Sequence, residues 1–579
     1  MEVFSDSSEE VEGVIEENEN IDDDDDNILS SEENDISDEI EEELDRNIEV
    51  AGRTWKYIAQ KQRKTRAADC IRKEKGLTEK SKDIESILDC FFLFISDEIF
   101  EIIVKFTNQR AKEIISKYNE THEDNLFKSW QDVDVTEIRG FFAILILSGR
   151  FREAKENPVN LWTSTNISLS RPIYQACMSR NRYCDILRFL RFDDISTRTE
   201  RISLDKLAPI RDVVDNFTKN CRDSYCPSAF GTIDEQLVSY RGRCPFKVYI
   251  PSKPGKYGIK IWTLCDATTV YCCNLEVYLG KKGGSAEQNQ GPRVVKTLAN
   301  HWYGSGRNIT TDNFFTDLTL AEERLKEKLT LIGTMRKNRK DLPKSLLDIK
   351  SRAVYSSDFL FTRDLTLVSY VTKPKKFVIL LSSTHHEHDI ADENEKFKPD
   401  IILAYNKTKS GVDVLDKLVR EYSCKRNTRR WPLRLFLNLI DIACYNAFVL
   451  WTIKNPEWHS DSSITYRRKI FLQDLGMELA RTQIERRVKK IEEDGRGFTN
   501  LVTTAIESTG RKIRKTCKDD TPSQGTKRGR CRICRGSDNK HSKRCDKCNQ
   551  FVCSQHSQSI TVKQTTCTYC AKDEDGEPS

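Results

Sequence analysis

Between Gly231 and Gly280 three short runs, "GTIDEQLVSY", "YGIKIWTLCDA" and "VYCCNLEVYLG", are rich in β-branched and aromatic residues and separated by Gly, Pro and Lys turns. A helix-patterned stretch ("PRVVKTLANHWYG"), a strand-like "RNITTD", a second helix ("LTLAEERLKEKL") and a strand ("TLIGTMRKN") follow. Three successive strands and then strand–helix alternation is the order of an RNase H-like α/β domain, shared with other mixed folds. Asp234 interrupts the first run. Charge inside a buried strand is costly unless a cation or partner neutralises it.

At 579 residues the chain exceeds one core and predicts three to five domains. From Ser86 the pattern is helical ("ILDCFFLFISDEIFEIIVKFTNQRAKEII", "VTEIRGFFAILILSG", "LAPIRDVVDNFTKNC") up to about Pro227. Residues 339–399 read as mostly β and end in a polar loop, where His385, His386 and His388 predict adventitious metal binding or none. Long helical patterns run from residue 400 to about 492. No run of eighteen apolar residues occurs, and the N-terminus is acidic where a signal peptide is basic and then apolar, so the chain reads as soluble and intracellular. Residues 1–50 carry a net charge of −22 and the remainder +26. That split suits a nucleic-acid binder whose acidic tail competes with DNA for the basic surface; a merely solubilising tail suits it equally. Residues 1–85 lack apolar periodicity and read as disordered.

Four acids could carry chemistry. Asp234 is strand-borne, Asp312 ends "RNITTD" at a turn, and Asp413 and Asp416 are three apart in "SGVDVLDKLV", which puts both on one face of a helix. Hard divalent cations take oxygen ligands, and two such ions activate an attacking oxygen and stabilise a leaving one. Solvated surface acids and helix caps give the same spacing.

The blocks "TIDEQL", "RGRCPFKVYIPSKPGKYGIK", "NITTDNFFT", "GVDVLDKL" and "RRWPLRLF" resemble, in order, those of piggyBac-family DNA transposases. The resemblance implies an RNase H-like catalytic domain in two parts (230–338 and 400–422) that carries a β-rich insertion (339–399). It also implies a helical dimerisation and DNA-binding domain split into residues 86–229 and 423–500. By position Asp234, Asp312 and Asp413 match the family's catalytic Asp residues and Asp416 the additional acid, together implying two Mg²⁺ or Mn²⁺ ions. The implied activity is cut-and-paste transposition on double-stranded DNA: binding of terminal inverted repeats, excision through hairpin ends and integration at TTAA, by a homodimer or larger assembly in the nucleus. No membrane and no small-molecule substrate is implied. Three cationic clusters flank the acids as candidate DNA contacts. They comprise Arg241, Arg243, Lys247, Lys253 and Lys256; Arg336, Lys337 and Arg339; and Arg429, Arg430, Trp431 and Arg434. Trp431 before Pro432 suits a helix start packed on the core, whereas the resemblance implies an aromatic that stacks on distorted bases.

Seven of the twenty Cys lie between Cys531 and Cys570, after a basic linker (501–530) and before a short tail (572–579). The order C-x2-C-x10-C-x2-C-x4-C-x2-H-x10-C-x2-C supplies eight ligands for two tetrahedral Zn²⁺ ions. So few large apolar residues leave the stability of this module (531–571) to metal. A cross-brace gives Cys531, Cys534, Cys553 and His556 one ion and Cys545, Cys548, Cys567 and Cys570 the other; the spacing equally allows sequential pairing. His541 falls outside this register. The module suits a RING-type ligase, a PHD-like reader or a DNA-binding finger. Its cations favour DNA, and the resemblance implies recognition of terminal repeats.

Overall fold

The computed structural model describes residues 47–59, 65–121, 127–162, 171–281, 287–390, 396–494, 500–511, 513, 529–530, 533–534, 540–543 and 551–558. The four longest described helices ahead of the sheet are α1 (Asp97–Thr121), α2 (Val135–Arg150), α3 (Arg180–Phe189) and α4 (Arg211–Asp223). Each buries one stripe; in α4, Val213, Val214, Phe217 and Cys221 recur at three and four. The three strand-like runs become β1 (Phe230–Ser239), β3 (Tyr257–Asp266) and β4 (Cys272–Val277), with a short β2 (Lys247–Tyr249) on the turn between the first two. Helix α5 (Gln290–Ala299), β5 (Asn308–Thr311), α6 (Leu318–Lys326) and β6 (Thr330–Thr334) complete the alternation.

β1 runs antiparallel to β3, and β3 to β4, whereas β5 lies parallel to β1 and β6 parallel to β5. That is the antiparallel-then-parallel topology of the RNase H-like reading. The next strands, β7 (Ser357–Phe361), β8 (Thr366–Lys373) and β9 (Lys376–Ser382), correct one expectation. They are β as read, but they extend the central sheet instead of standing apart as an inserted domain. β9 pairs with β6, giving nine strands in the order β7-β8-β9-β6-β5-β1-β3-β2, with β4 also on β3. β9 thereby pairs backbone groups along the side of β6 that β5 leaves open.

Helices α7 (Asp400–Thr408) and α8 (Gly411–Glu421) return the chain to the sheet, and α9 (Trp431–Lys454) and α10 (Ile464–Asp494) rejoin the N-terminal helices. Phe436 of α9 packs on Phe142 and Phe192, at ring separations of 5.7 and 4.6 Å. Gly476 of α10 lies so close to Leu147 of α2 that a Cβ would meet its Cγ at 2.5 Å. The helices on either side of the sheet therefore share one core. α9 is long and apolar enough to cross a membrane by composition, yet 94% of its apolar window is buried within the protein, as in a core helix.

A second correction concerns residues 47–59 and 65–85, which are ordered. Ile48–Val50 pairs with Arg53–Trp55 across Ala51 and Gly52, both at positive φ, as a two-residue hairpin turn requires. Trp55 is fully buried, Lys56 exchanges two 2.8 Å backbone hydrogen bonds with Phe361 of β7, and Arg307 donates to the Lys73 carbonyl. The "HHEH" loop shares in this packing. His388 Nε2 donates to the Tyr57 carbonyl, His385 bonds Ser382, and burial beside Arg66 pushes the His386 pKa down to about 4. Trp55→Ala is expected to destabilise the protein by about 3–5 kcal/mol, read as a shift in the urea midpoint, and to speed proteolysis before residue 85.

Candidate active site

Asp234 lies at the centre of the sheet, opposite Thr263 of β3. Parallel pairing of β1 with β5 sets Thr311 against Ile233, so Asp312, the next residue, emerges beside Asp234. α8 brings Asp413 in its first turn. Its approach depends on Gly411, where a Cβ would meet the Thr232 Oγ1 at 2.6 Å. Thr232 Oγ1 donates to the Thr408 carbonyl (2.5 Å), and Thr310 Oγ1 and Thr408 Oγ1 are 2.8 Å apart. Threonines on β1 and β5 thus pin the α7–α8 junction over the two strand-borne acids.

Burial, reinforced by Glu235 and Asp312, holds the Asp234 pKa well above the usual carboxylate range, and burial likewise raises Asp312. The Asp234 Oδ1 accepts from the Glu235 N–H (2.7 Å) and the Asp312 Oδ1 from the Phe314 N–H (2.9 Å). Burial, with both carboxylates nearby, pushes the Tyr405 phenol of α7 up to about 12. Negative charge here is incompletely neutralised, and the donors are hard oxygens; both properties suit divalent cations. Among the described residues, though, no three acids bring oxygens mutually within 4.8 Å. The carboxylates converge on one place without closing into a tight cage.

Two cations stand among them. Lys253 donates to the Asp413 Oδ1 at 2.9 Å. Lys260 lies 3.7 Å from the Trp262 ring centroid and 4.0 Å from the Glu235 carboxylate. Asp416, expected beside Asp413 as a further ligand, turns elsewhere. It is buried, accepts from Gln236 Nε2 (3.4 Å) and pairs with Arg420 (3.2 Å), while Gln236 accepts from Asn438 of α9. These bonds anchor α8 to β1 and α9, and burial raises the Asp416 pKa.

The cationic clusters divide in the same way. Arg241, Arg243, Lys247, Lys256, Arg336, Lys337 and Arg429 are exposed. Arg339 instead grips Asp317, the N-cap of α6, and Asp341. Arg430 donates to the Leu187 and Leu190 carbonyls at the end of α3, and burial lowers its pKa to about 10. Arg434 donates to the Ser239 carbonyl (3.0 Å), and Trp431 is half-buried, edge-on to Phe246 at 4.9 Å. Arg339, Arg430 and Arg434 are therefore fold-holding contacts, whatever else they meet. A run of cations in sequence does not reveal which guanidinium is turned inward.

The sequence reading gave no role to Thr232, Thr408, Gly411, Lys260 or Tyr405. A signal existed for Lys260, a lone cation inside an apolar strand.

Far along the chain Cys534 Sγ, Cys553 Sγ and His556 Nδ1 come together, at 3.7 Å between the sulfurs and 3.3 and 3.2 Å from each to the nitrogen. Tetrahedral Zn²⁺ with ordinary bond lengths sets such edges at about 3.5–3.8 Å. Cys534 thus stands with Cys553 and His556, the contact that a cross-brace would use. Cys531, Cys545, Cys548, Cys567 and Cys570 lie outside the described residues.

The family profile described as Transposase IS4 matches residues 87–448, a span that holds Asp234, Asp312 and Asp413. A solved chain, the piggyBac transposase in its synaptic complex with hairpin DNA, is 36% identical; the match covers 84% of this chain and 98% of that one, with a TM-score of 0.70. The chain belongs to the piggyBac-type transposase family. Two human relatives are more distant. PiggyBac transposable element-derived protein 3 is 22% identical over 375 residues, 62% of this chain and 60% of the relative. PiggyBac transposable element-derived protein 5 is 24% identical over 290 residues, 47% of this chain and 52% of the relative. The chain thus matches little more than half the length of these piggyBac-derived proteins.

A carboxyl whose pKa is raised by folding contributes stability that is complete below its unfolded value, about 3.9, and is lost as pH rises through the folded value. In chelator, Asp234→Asn is therefore expected to flatten the fall in Tm from about pH 4 towards neutrality and to raise Tm at neutral pH. An unchanged Tm–pH profile would contradict the electrostatics described here.

Proposed function

We propose that the protein is a cut-and-paste DNA transposase that binds terminal inverted repeats, excises the element through hairpin ends and integrates it at TTAA. The observation that carries this reading is the convergence of Asp234, Asp312 and Asp413 under α8 in a piggyBac-type chain. Those three carboxylates would hold two Mg²⁺ or Mn²⁺ ions, which when bound supply charge stabilisation to the attacking and leaving oxygens of phosphodiester exchange. Asp416 keeps α8 on β1 and so orients Asp413. Exposed Arg241, Arg243, Lys247 and Lys256 lie on the β1–β3 connection and would take DNA phosphates, together with Arg336, which bonds Asn313 next to Asp312, and Lys337. Hairpin ends are favoured because the solved relative is a synaptic complex with hairpin DNA. A homodimer or larger assembly, working in the nucleus on double-stranded DNA and needing no membrane or small-molecule substrate, completes the proposal.

Asp234→Asn, Asp312→Asn and Asp413→Asn are each expected to lower excision of an end-matched substrate by roughly 100-fold or more while end binding persists in a gel-shift assay. The second reading, a DNA-binding protein derived from such an enzyme, is favoured by the names of the two human relatives, both element-derived. Wild-type protein that binds ends but never cuts them in Mg²⁺ would decide for it.

For the C-terminal module we propose two Zn²⁺ ions in a cross-brace, Cys531, Cys534, Cys553 and His556 at one and Cys545, Cys548, Cys567 and Cys570 at the other. The module would read the terminal repeats. Elemental analysis is expected to give two zinc per chain and Cys553→Ser about one, with loss of end specificity but retained cleavage of pre-nicked DNA.

A further inference from the structure

One cation at the acid cluster has no part in the chemistry above. Lys253 was expected on the DNA-facing surface, but its side chain is only 16% exposed, whereas that of its partner Asp413 is 61% exposed. Its ammonium donates to the Asp413 Oδ1 (2.9 Å) and the Glu235 carbonyl (3.3 Å), and lies 3.8 Å from the Glu235 carboxylate. It therefore covers one of the two oxygens of a carboxylate that would ligate a metal ion. A metal ion at that carboxylate and the ammonium already against it repel each other, so each weakens the other's hold.

The backbone holds the lysine there. Between β2 and β3 the Ile250 N–H donates to the Lys256 carbonyl (2.7 Å), and the Lys256 N–H donates to the Lys253 carbonyl (2.9 Å). Lys256 itself sits at φ 50°, and a Cβ on Gly255 would meet the Ser239 Oγ at 2.2 Å. The outer side of the same connection is built for a different contact. Tyr249 and Tyr257 are exposed, with ring centroids 4.7 Å apart, beside exposed Lys247 and Lys256. One tight turn thus presents a cation inward to the acids and a cationic, aromatic face outward.

We propose that Lys253 is a positioning residue that occupies Asp413 until DNA seats on the outer face, then yields that carboxylate to the metal and pairs with a DNA phosphate. Metal loading and DNA binding are then reciprocally linked through this turn. The inference rests on the active-site reading above.

The test is Mn²⁺ binding, followed by the electron paramagnetic resonance of free Mn²⁺, on the full-length chain with and without duplex carrying the element's end and an uncleavable scissile linkage. Asp312→Asn run in parallel subtracts binding elsewhere. Wild type is expected to bind Mn²⁺ at least about tenfold more tightly with DNA than without. Lys253→Met, which keeps the aliphatic stem, is expected to bind Mn²⁺ without DNA about as tightly as wild type does with it, the linkage falling to ~twofold or less. Lys253→Arg, which restores the cation, is expected to restore the linkage. If Lys253→Met leaves DNA-free Mn²⁺ affinity unchanged, or the full linkage survives in it, the proposal is overturned while the metal site stands. If no Mn²⁺ binding depends on Asp312 in any of these proteins, the active-site reading falls, and the proposal with it.

Discussion

Carboxylates on neighbouring strands repel, and the centre of this protein is arranged around holding them side by side regardless. Parallel pairing of β1 and β5 fixes Asp234 against Asp312, and neither can retreat without breaking the register of the whole sheet. The third acid arrives on a helix, clamped from below by Thr232 and Thr408 and from behind by the Asn438–Gln236–Asp416 chain. The cost of that repulsion is spread over the strand ladder, the threonine contacts and the core helix α9. Such preorganised, under-neutralised charge is what a cation-dependent phosphoryl site requires and what a purely structural acid avoids.

Much of this was legible in the chain. The strand runs from Gly231 and the two crossover helices appear where the alternation and the three-four repeats put them, because both faces of the sheet are covered and the signal is strong. Asp234 was conspicuous for the same reason: a charge has no ordinary place in such a run. What periodicity could not convey was connectivity. β7, β8 and β9 read as strands, but nothing local says that β9 pairs with β6 instead of closing a sheet of its own. The N-terminal arm escaped because its largest buried side chain, Trp55, stands in a hairpin of three-residue strands, too short to show a period.

Side-chain direction was the other blind spot. Arg429 and Arg430 are adjacent in sequence, yet one faces solvent and the other fills the end of α3. Asp413 and Asp416 do share a helix face, but a single turn of depth separates an exposed carboxylate from one wholly engaged by Gln236 and Arg420. In the C-terminal module the ligand order left two topologies open, and the meeting of Cys534 with Cys553 and His556 is the contact that a cross-brace would use.

The hairpin at Ile48–Trp55 also bears on solubility. A nine-stranded sheet ends at β7 in a row of unsatisfied amides, the kind of border along which separate molecules zip together. The Lys56–Phe361 bridge closes part of that border with the chain's own backbone, and the opposite margin is divided between the three-residue β2 and the six-residue β4. By wrapping its leading segment across the sheet, the chain occupies a seam that a neighbouring molecule would otherwise extend.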